Sequence, residues 1–146
     1  MTNQQVEILL VEDNEDDLVI IQEIFADMKL ATIVNTVRDG EEALAYLRHK
    51  GKYKAARVPD IVLLDINMPK MNGHEVLERI RKVPSLKSLP VIMLTMSERE
   101  EDVVRAYANG ACSYIPKSVG LDQFRKRFKQ FEDYWTLVSR VPLVRE

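Results

Sequence analysis

Three acids stand where two apolar runs end. Ile8-Leu9-Leu10-Val11 leads directly into Glu12-Asp13, and Ile61-Val62-Leu63-Leu64 leads into Asp65. Both runs are Ile, Leu and Val without alternation, the pattern of strands buried on both faces of a parallel sheet. In open α/β sheets ligands bind in the crevice at the carboxyl ends of the strands, where the strand order reverses. If the two strands are neighbours, the carboxylates of Glu12, Asp13 and Asp65 share that crevice. Two such charges about 4 Å apart repel by roughly 4 kcal/mol at an effective dielectric of about 20. A hard divalent cation such as Mg2+, which prefers oxygen ligands, is the group best suited to offset that repulsion. Two further strand-like runs end in Thr95 and Lys117, so a hydroxyl and an ammonium can join the same crevice.

The elements that would position these groups alternate along the chain. Asn14 can cap a first helix whose opening turn, Glu15-Asp16-Asp17, suits the positive end of the helix dipole. Leu18, Ile21, Phe25 and Met28 then recur at helical spacing and should face a core. Thr32 to Val37 reads as a second strand, and Asp39-Gly40 turns the chain into a helix carrying Ala43, Leu44 and Leu47. That helix should stop near Gly51, before a polar loop from Lys52 to Arg57 and Pro59. Asn72 and Glu75 form a capping box for the third helix, whose apolar face is Val76, Leu77 and Ile80 and whose end is marked by Pro84. Pro90 opens a fourth strand, Val91 to Leu94. A charged helix from about Glu98 to Asn109 is stopped by Gly110. Ser113-Tyr114-Ile115 is a short fifth strand, and a last helix runs from about Leu121 to Ser139.

Strict alternation of strand and helix predicts an α/β fold with a five-stranded parallel sheet and helices on both faces. Pro116, which cannot donate to a ladder, belongs at an edge and so places the fifth strand there. The order 2-1-3-4-5, the flavodoxin-like (βα)5 arrangement, meets that demand and puts strands 1 and 3 side by side. A chain of 146 residues with 46% hydrophobic content fits one domain over 1–146. The net charge of −2 gives no basis for nucleic-acid binding through bulk charge. Met1 to Gln5 lacks the basic start of a secretory signal, and no apolar run approaches the roughly 20 residues that span a bilayer. A cytoplasmic protein with no membrane partner is therefore expected. Cys112 is the only cysteine and reads as a small buried residue. His49 and His74 lie apart, without ligand spacing, and are expected at the surface.

Four motifs, in order and at these spacings, carry a family resemblance. They are Leu10-Val11-Glu12-Asp13-Asn14, Leu64-Asp65-Ile66-Asn67-Met68-Pro69 with Gly73, Pro90 to Thr95, and Tyr114-Ile115-Pro116-Lys117. From about Glu7 to Phe131 the chain resembles the receiver domain of two-component response regulators. The resemblance implies that Asp65 takes a phosphoryl group from a phosphohistidine on a sensor histidine kinase. It implies that Asp13, Asp65 and the backbone carbonyl of Asn67 hold Mg2+, with Glu12 contributing directly or through water. Lys117 would neutralise a phosphate oxygen, Thr95 would bond the phosphate, and Tyr114 would act as an aromatic switch following Thr95. Such a domain promotes its own phosphorylation and dephosphorylation and is not a turnover enzyme. Two departures stand out: Ser118 follows the lysine where the family usually has proline, and Met96 follows Thr95 where a small residue is usual.

Within that family the chain is most similar to the stand-alone regulators paired with bacterial and cyanobacterial phytochromes. The loop from Gly51 to Pro59, the run Phe131-Glu132-Asp133-Tyr134-Trp135 and the tail Val141-Pro142-Leu143 carry this. It implies a phytochrome-type kinase as partner. With a core of about 7–131, the remaining 132–146 extends the last helix into a tail. A helix-turn-helix needs more chain than that, so no output domain and no direct nucleic-acid contact are expected, and the signal should leave through a downstream protein. The last helix should overhang the sheet and expose Trp135, Leu137, Val138, Val141 and Leu143. That surface, with Val104 and Tyr107 as further contacts, suggests a homodimer. Two enzyme-like folds compete. A haloacid-dehalogenase-type phosphatase wants a second acid two residues after its nucleophile, where this chain has Asn67. A flavodoxin's flavin phosphate would be repelled by the acids between Glu12 and Asp17. A third alternative, a phosphate-independent interaction domain, would have no use for Asp65, Thr95 and Lys117.

Overall fold

All five strands run parallel, in the order β2-β1-β3-β4-β5. This is a computed structural model, and the residues it describes are 6–27, 32–68, 70–95, 100–111, 113–116, 123, 125–127, 129 and 130. In chain order they form β1 (Val6–Val11), α1 (Glu15–Ala26), β2 (Thr32–Val37), α2 (Gly40–Leu47), a 3-10 turn (Gly51–Tyr53) and β3 (Ile61–Asp65). Then follow α3 (Gly73–Lys82), a second 3-10 turn (Pro84–Leu86), β4 (Val91–Thr95), α4 (Glu100–Ala108) and β5 (Ser113–Pro116). The expected strand order holds, with Pro116 on the edge strand opposite Thr95.

Alternation of side chains along each strand divides the apolar residues between two cores. Val6, Ile8, Leu10, Ile61, Leu63, Ile92, Leu94 and Ile115 pack on one face with Leu18, Ile21, Ile24 and Phe25 of α1. Leu9, Val11, Val62, Leu64, Val91 and Met93 pack on the other with Ala43, Leu44 and Leu47 of α2, Val76, Leu77 and Ile80 of α3, and Ala106 of α4. Each fully buried aliphatic side chain contributes about 1.5–3 kcal/mol, so the sheet is held from both sides and its strand ends are fixed.

Capping chemistry starts the helices where the sequence places them. Asn14 Oδ1 accepts the Asp17 N–H at 2.9 Å, and Asp39 Oδ1 accepts the Glu42 N–H at 2.8 Å. Asn72 and Glu75 form the reciprocal capping box on α3. Gly110, at φ +93°, follows α4 in the left-handed conformation that ends a helix. Of the apolar stripe expected on α1, Leu18, Ile21 and Phe25 are buried, while Met28 lies outside the described residues.

Between α2 and β3 the chain is more ordered than its polar composition suggests. The Asp60 carboxylate accepts the Glu7 N–H at 2.8 Å, and Arg57 pairs with the buried Glu7 carboxylate at 3.7 Å. One expectation is corrected: His74 is buried, 2% exposed, on the first turn of α3. The polar capping sequence around it hides how deeply that turn sits. His49 is half-buried, in a left-handed turn at φ +58°. Cys112 lies outside the described residues. Among the described residues no helix is long and apolar enough to cross a membrane.

Candidate functional site

Strand register brings the acids to one level. Val11 of β1 pairs with Leu64 of β3, so the next residues, Glu12 and Asp65, leave the sheet side by side. One carboxylate oxygen each from Glu12, Asp13 and Asp65 lies within 4.8 Å of the others. Glu12 is fully buried, Asp65 is 3% exposed and Asp13 is half-buried. Carboxylates this close and this dry repel strongly unless a cation sits among them. The donors are all oxygen, so the residues fit a hard divalent ion.

Local hydrogen bonds aim these acids. Glu12 accepts the Asn14 N–H at 3.3 Å, and Asp65 Oδ1 accepts the Asn67 N–H at 3.3 Å. Each bond reaches two residues on and ties the side chain to the loop leaving its strand. Beyond β3 that loop is pinned twice more, by Ile66 N–H to the Leu94 carbonyl and Gly73 N–H to the Ile66 carbonyl, both at 2.9 Å. Asn67 is therefore fixed at the rim of the acidic cluster, with its side chain exposed.

Thr95 closes β4, one residue beyond Leu94, the partner of Asp65. Tyr114 sits on β5 opposite Met93. The backbone thus carries both toward the same end of the sheet; their side chains, and Lys117, lie outside the description. Val104 and Tyr107 are 57% and 50% exposed on α4. Trp135, Leu137, Val138, Val141 and Leu143 lie outside the described residues.

A residue that sequence reasoning missed also reaches the loop of Asp13. Arg38, just past β2, donates from Nη2 to the Asp13 carbonyl at 3.3 Å and pairs through Nη1 with Glu15 at 2.9 Å. Its own N–H donates to Glu42 Oε1 at 2.9 Å, while the Tyr53 hydroxyl donates to Glu42 Oε2 at 2.7 Å. The Arg38 N–H, then the Tyr53 hydroxyl, hold the Glu42 carboxyl below its ordinary value. Burial, then the Glu42 carboxylate, push the Tyr53 hydroxyl up to about 12. The usable signal was the strand order itself, which lays the end of β2 beside the end of β1.

The family profile described as the response regulator receiver domain matches residues 8–129. The chain belongs to the response regulator receiver family. Like this receiver, the response regulator Rcp1 of Synechocystis sp. is a chain of similar length; the two are 36% identical, over 92% of each. Among solved structures, the phosphorylated cyanobacterial phytochrome response regulator RcpA superposes with a TM-score of 0.87 at 42% identity, over 95% of this chain and 99% of that one. The Mn2+-bound form of Rcp1 superposes with a TM-score of 0.86 at 36% identity, over 94% of this chain and 99% of that one. The receiver fold therefore accounts for the sheet, and the acidic cluster of Glu12, Asp13 and Asp65 fits a divalent cation by donor type.

Proposed function

We propose that Asp65 accepts a phosphoryl group from the phosphohistidine of a phytochrome-type sensor histidine kinase, with Mg2+ bound among Glu12, Asp13 and Asp65. The observation that carries this reading is the trio of carboxylate oxygens within 4.8 Å at the ends of β1 and β3. RcpA, a phytochrome response regulator, is known in a phosphorylated form, and Rcp1 with Mn2+, which supports both halves of the reading.

In the transfer, an Asp65 oxygen forms the new bond to phosphorus while the bond from phosphorus to the imidazole nitrogen breaks, and that nitrogen keeps the electron pair. The Asn67 N–H on Asp65 Oδ1 restrains the carboxylate's rotation and so keeps it aimed. When bound, the divalent ion supplies positive charge to the transferring phosphoryl oxygens. Asp13, Asp65 and the Asn67 carbonyl would hold that ion, and Glu12 would do so directly or through water. Phosphorylation adds about 1.5–2 negative charges. Thr95 and Lys117 follow that charge and Tyr114 takes up the space Thr95 leaves, shifting a pre-existing equilibrium. The protein acts as a single cytoplasmic receiver domain, forms a homodimer and passes its signal to another protein.

Incubation with Mg2+ and either acetyl phosphate or a phosphorylated phytochrome kinase tests the assignment. Wild type takes up label and Asp65→Asn does not. Label at the wild-type level in Asp65→Asn would refute it.

A further inference from the structure

We infer that Arg38 is a positioning residue for the metal pocket, held over the Asp13 loop by Glu42 and Tyr53. Its guanidinium straddles Asn14, the cap of α1. One nitrogen reaches the Asp13 carbonyl at 3.3 Å, and another reaches Glu15 at 2.9 Å. The planar fork suits two acceptors on either side of a turn, which a lysine ammonium cannot match. Asp13 is the least buried of the three acids and sits in the short link between β1 and α1. Its side chain has little of the packing that holds Glu12 and Asp65, so a restraint on its carbonyl restrains its carboxylate.

Arg38 is itself anchored from the core outward. Tyr53 packs its ring on the buried Tyr46, with centroids 5.1 Å apart, and gives its hydroxyl to Glu42 at 2.7 Å. Lys52 adds a cation 3.6 Å from the same carboxylate. Glu42 then takes the backbone N–H of Arg38 at 2.9 Å, fixing the residue's main chain beside the Asp13 loop. This chain of contacts joins the loop after α2 to the loop of Asp13 across the top of β2.

Two effects oppose each other at Arg38. Its charge, near an acidic cluster, disfavours a bound cation; its hydrogen bonds favour one by fixing a ligand. The guanidinium is 49% exposed and Glu15 is 77% exposed, so the charge is screened by water and offset by its partner. Mg2+ demands near-ideal octahedral geometry, so a displaced ligand is penalised. The positioning effect therefore wins. Residues that orient metal ligands typically change affinity by about 10–100-fold. An exposed contact through a carbonyl belongs at the low end, about tenfold.

The inference rests on the metal reading above, and calorimetric titration of Mg2+ into the unphosphorylated full chain separates the two. In Arg38→Ala the Kd for Mg2+ rises about tenfold, while the metal-free unfolding temperature stays near wild type. Arg38→Lys recovers part of the loss, and Tyr53→Phe raises Kd by a smaller factor in the same direction. Glu15→Gln, which leaves the Asp13 carbonyl bonded, shifts Kd least. A Kd in Arg38→Ala equal to or tighter than wild type overturns the inference, as does a fall in metal-free stability with Kd unchanged. Should Arg38→Ala fail to fold, Arg38→Lys and Tyr53→Phe decide by the same criterion. Wild type that takes no Mg2+ at millimolar concentration refutes the metal reading and this inference with it.

Discussion

A Cβ placed on Gly73 would lie 2.6 Å from the carbonyl oxygen of Asp65 and 2.7 Å from the Cα of Ile66. Both neighbours are backbone, so neither can turn aside. The first turn of α3 can lie this close to the end of β3 only because residue 73 has no side chain. Gly73→Ala should then push α3 away or bend the chain at Asp65. Overpacking of this kind costs about 1–3 kcal/mol. Urea unfolding should show that loss, and the variant should label more slowly with acetyl phosphate even where it is fully folded. Wild-type stability and wild-type labelling together would show that the contact is not confining.

The acidic cluster makes two predictions, one about charge and one about metal. Asp65→Asn removes one charge from three oxygens within 4.8 Å of one another, so the metal-free protein should become more stable. The gain is on the order of 1–3 kcal/mol after allowing for relaxation of the pair repulsion. Mg2+, which binds the folded state, should raise the unfolding temperature of wild type as its concentration exceeds Kd. Asp13→Asn should flatten that rise, since it removes a ligand. Thermal unfolding with EDTA and with Mg2+ reads both effects; an Asp65→Asn chain less stable than wild type in EDTA would mean the cluster is not strained.

Much of this arrangement is legible in the sequence. Uninterrupted Ile, Leu and Val at 8–11 and 61–64 mark buried parallel strands, and Pro116 places β5 at the edge. The caps at Asn14 and Asn72 are local, so their residue types suffice to find them. Arg38 is different: its partners Glu15, at the start of α1, and Asp13, on the loop after β1, are 23 and 25 residues away, and no local pattern marks them. His74 fails for a related reason, because a polar capping sequence looks solvated until the packing of its turn is known. The Tyr53 to Glu42 bond likewise depends on how the loop after α2 folds back.

That bond has a signature in pH. The Tyr53 hydroxyl is raised from 10.0 to about 12, so its contribution to stability is complete below pH 10 and lost as pH rises through about 12. Glu42 is lowered from 4.5, so its contribution is complete above that value and lost as pH falls through its lower folded value. The stability difference between wild type and Tyr53→Phe should be level from neutral pH to about pH 10 and shrink above it. The difference between wild type and Glu42→Gln should shrink in acid, as Glu42 is protonated, and again above about pH 10, where ionisation of Tyr53 breaks the same bond. Denaturant unfolding across the pH range checks both, and a Tyr53→Phe difference unchanged at pH 12 would contradict the assigned bond.

Val104 and Tyr107 stand three residues apart on α4, on one helical face, and are 57% and 50% exposed, whereas Ala106 beside them is fully buried. A large apolar pair on that face is surface that a partner can cover. The sequence adds Trp135, Leu137, Val138, Val141 and Leu143 in the segment expected to overhang the sheet. Association with a second copy, most simply about a two-fold axis, would bury both sets. Sedimentation of the unphosphorylated protein at tens of micromolar should then report a dimer. A chain ending at Tyr134 should be shifted toward monomer, and Val104→Glu, which puts a charge into the proposed contact, should shift it too. If Val104→Glu leaves the dimer intact while truncation abolishes it, the interface is made by the C-terminal segment and α4 is outside it. A wild-type monomer indistinguishable from both variants would remove the dimer altogether.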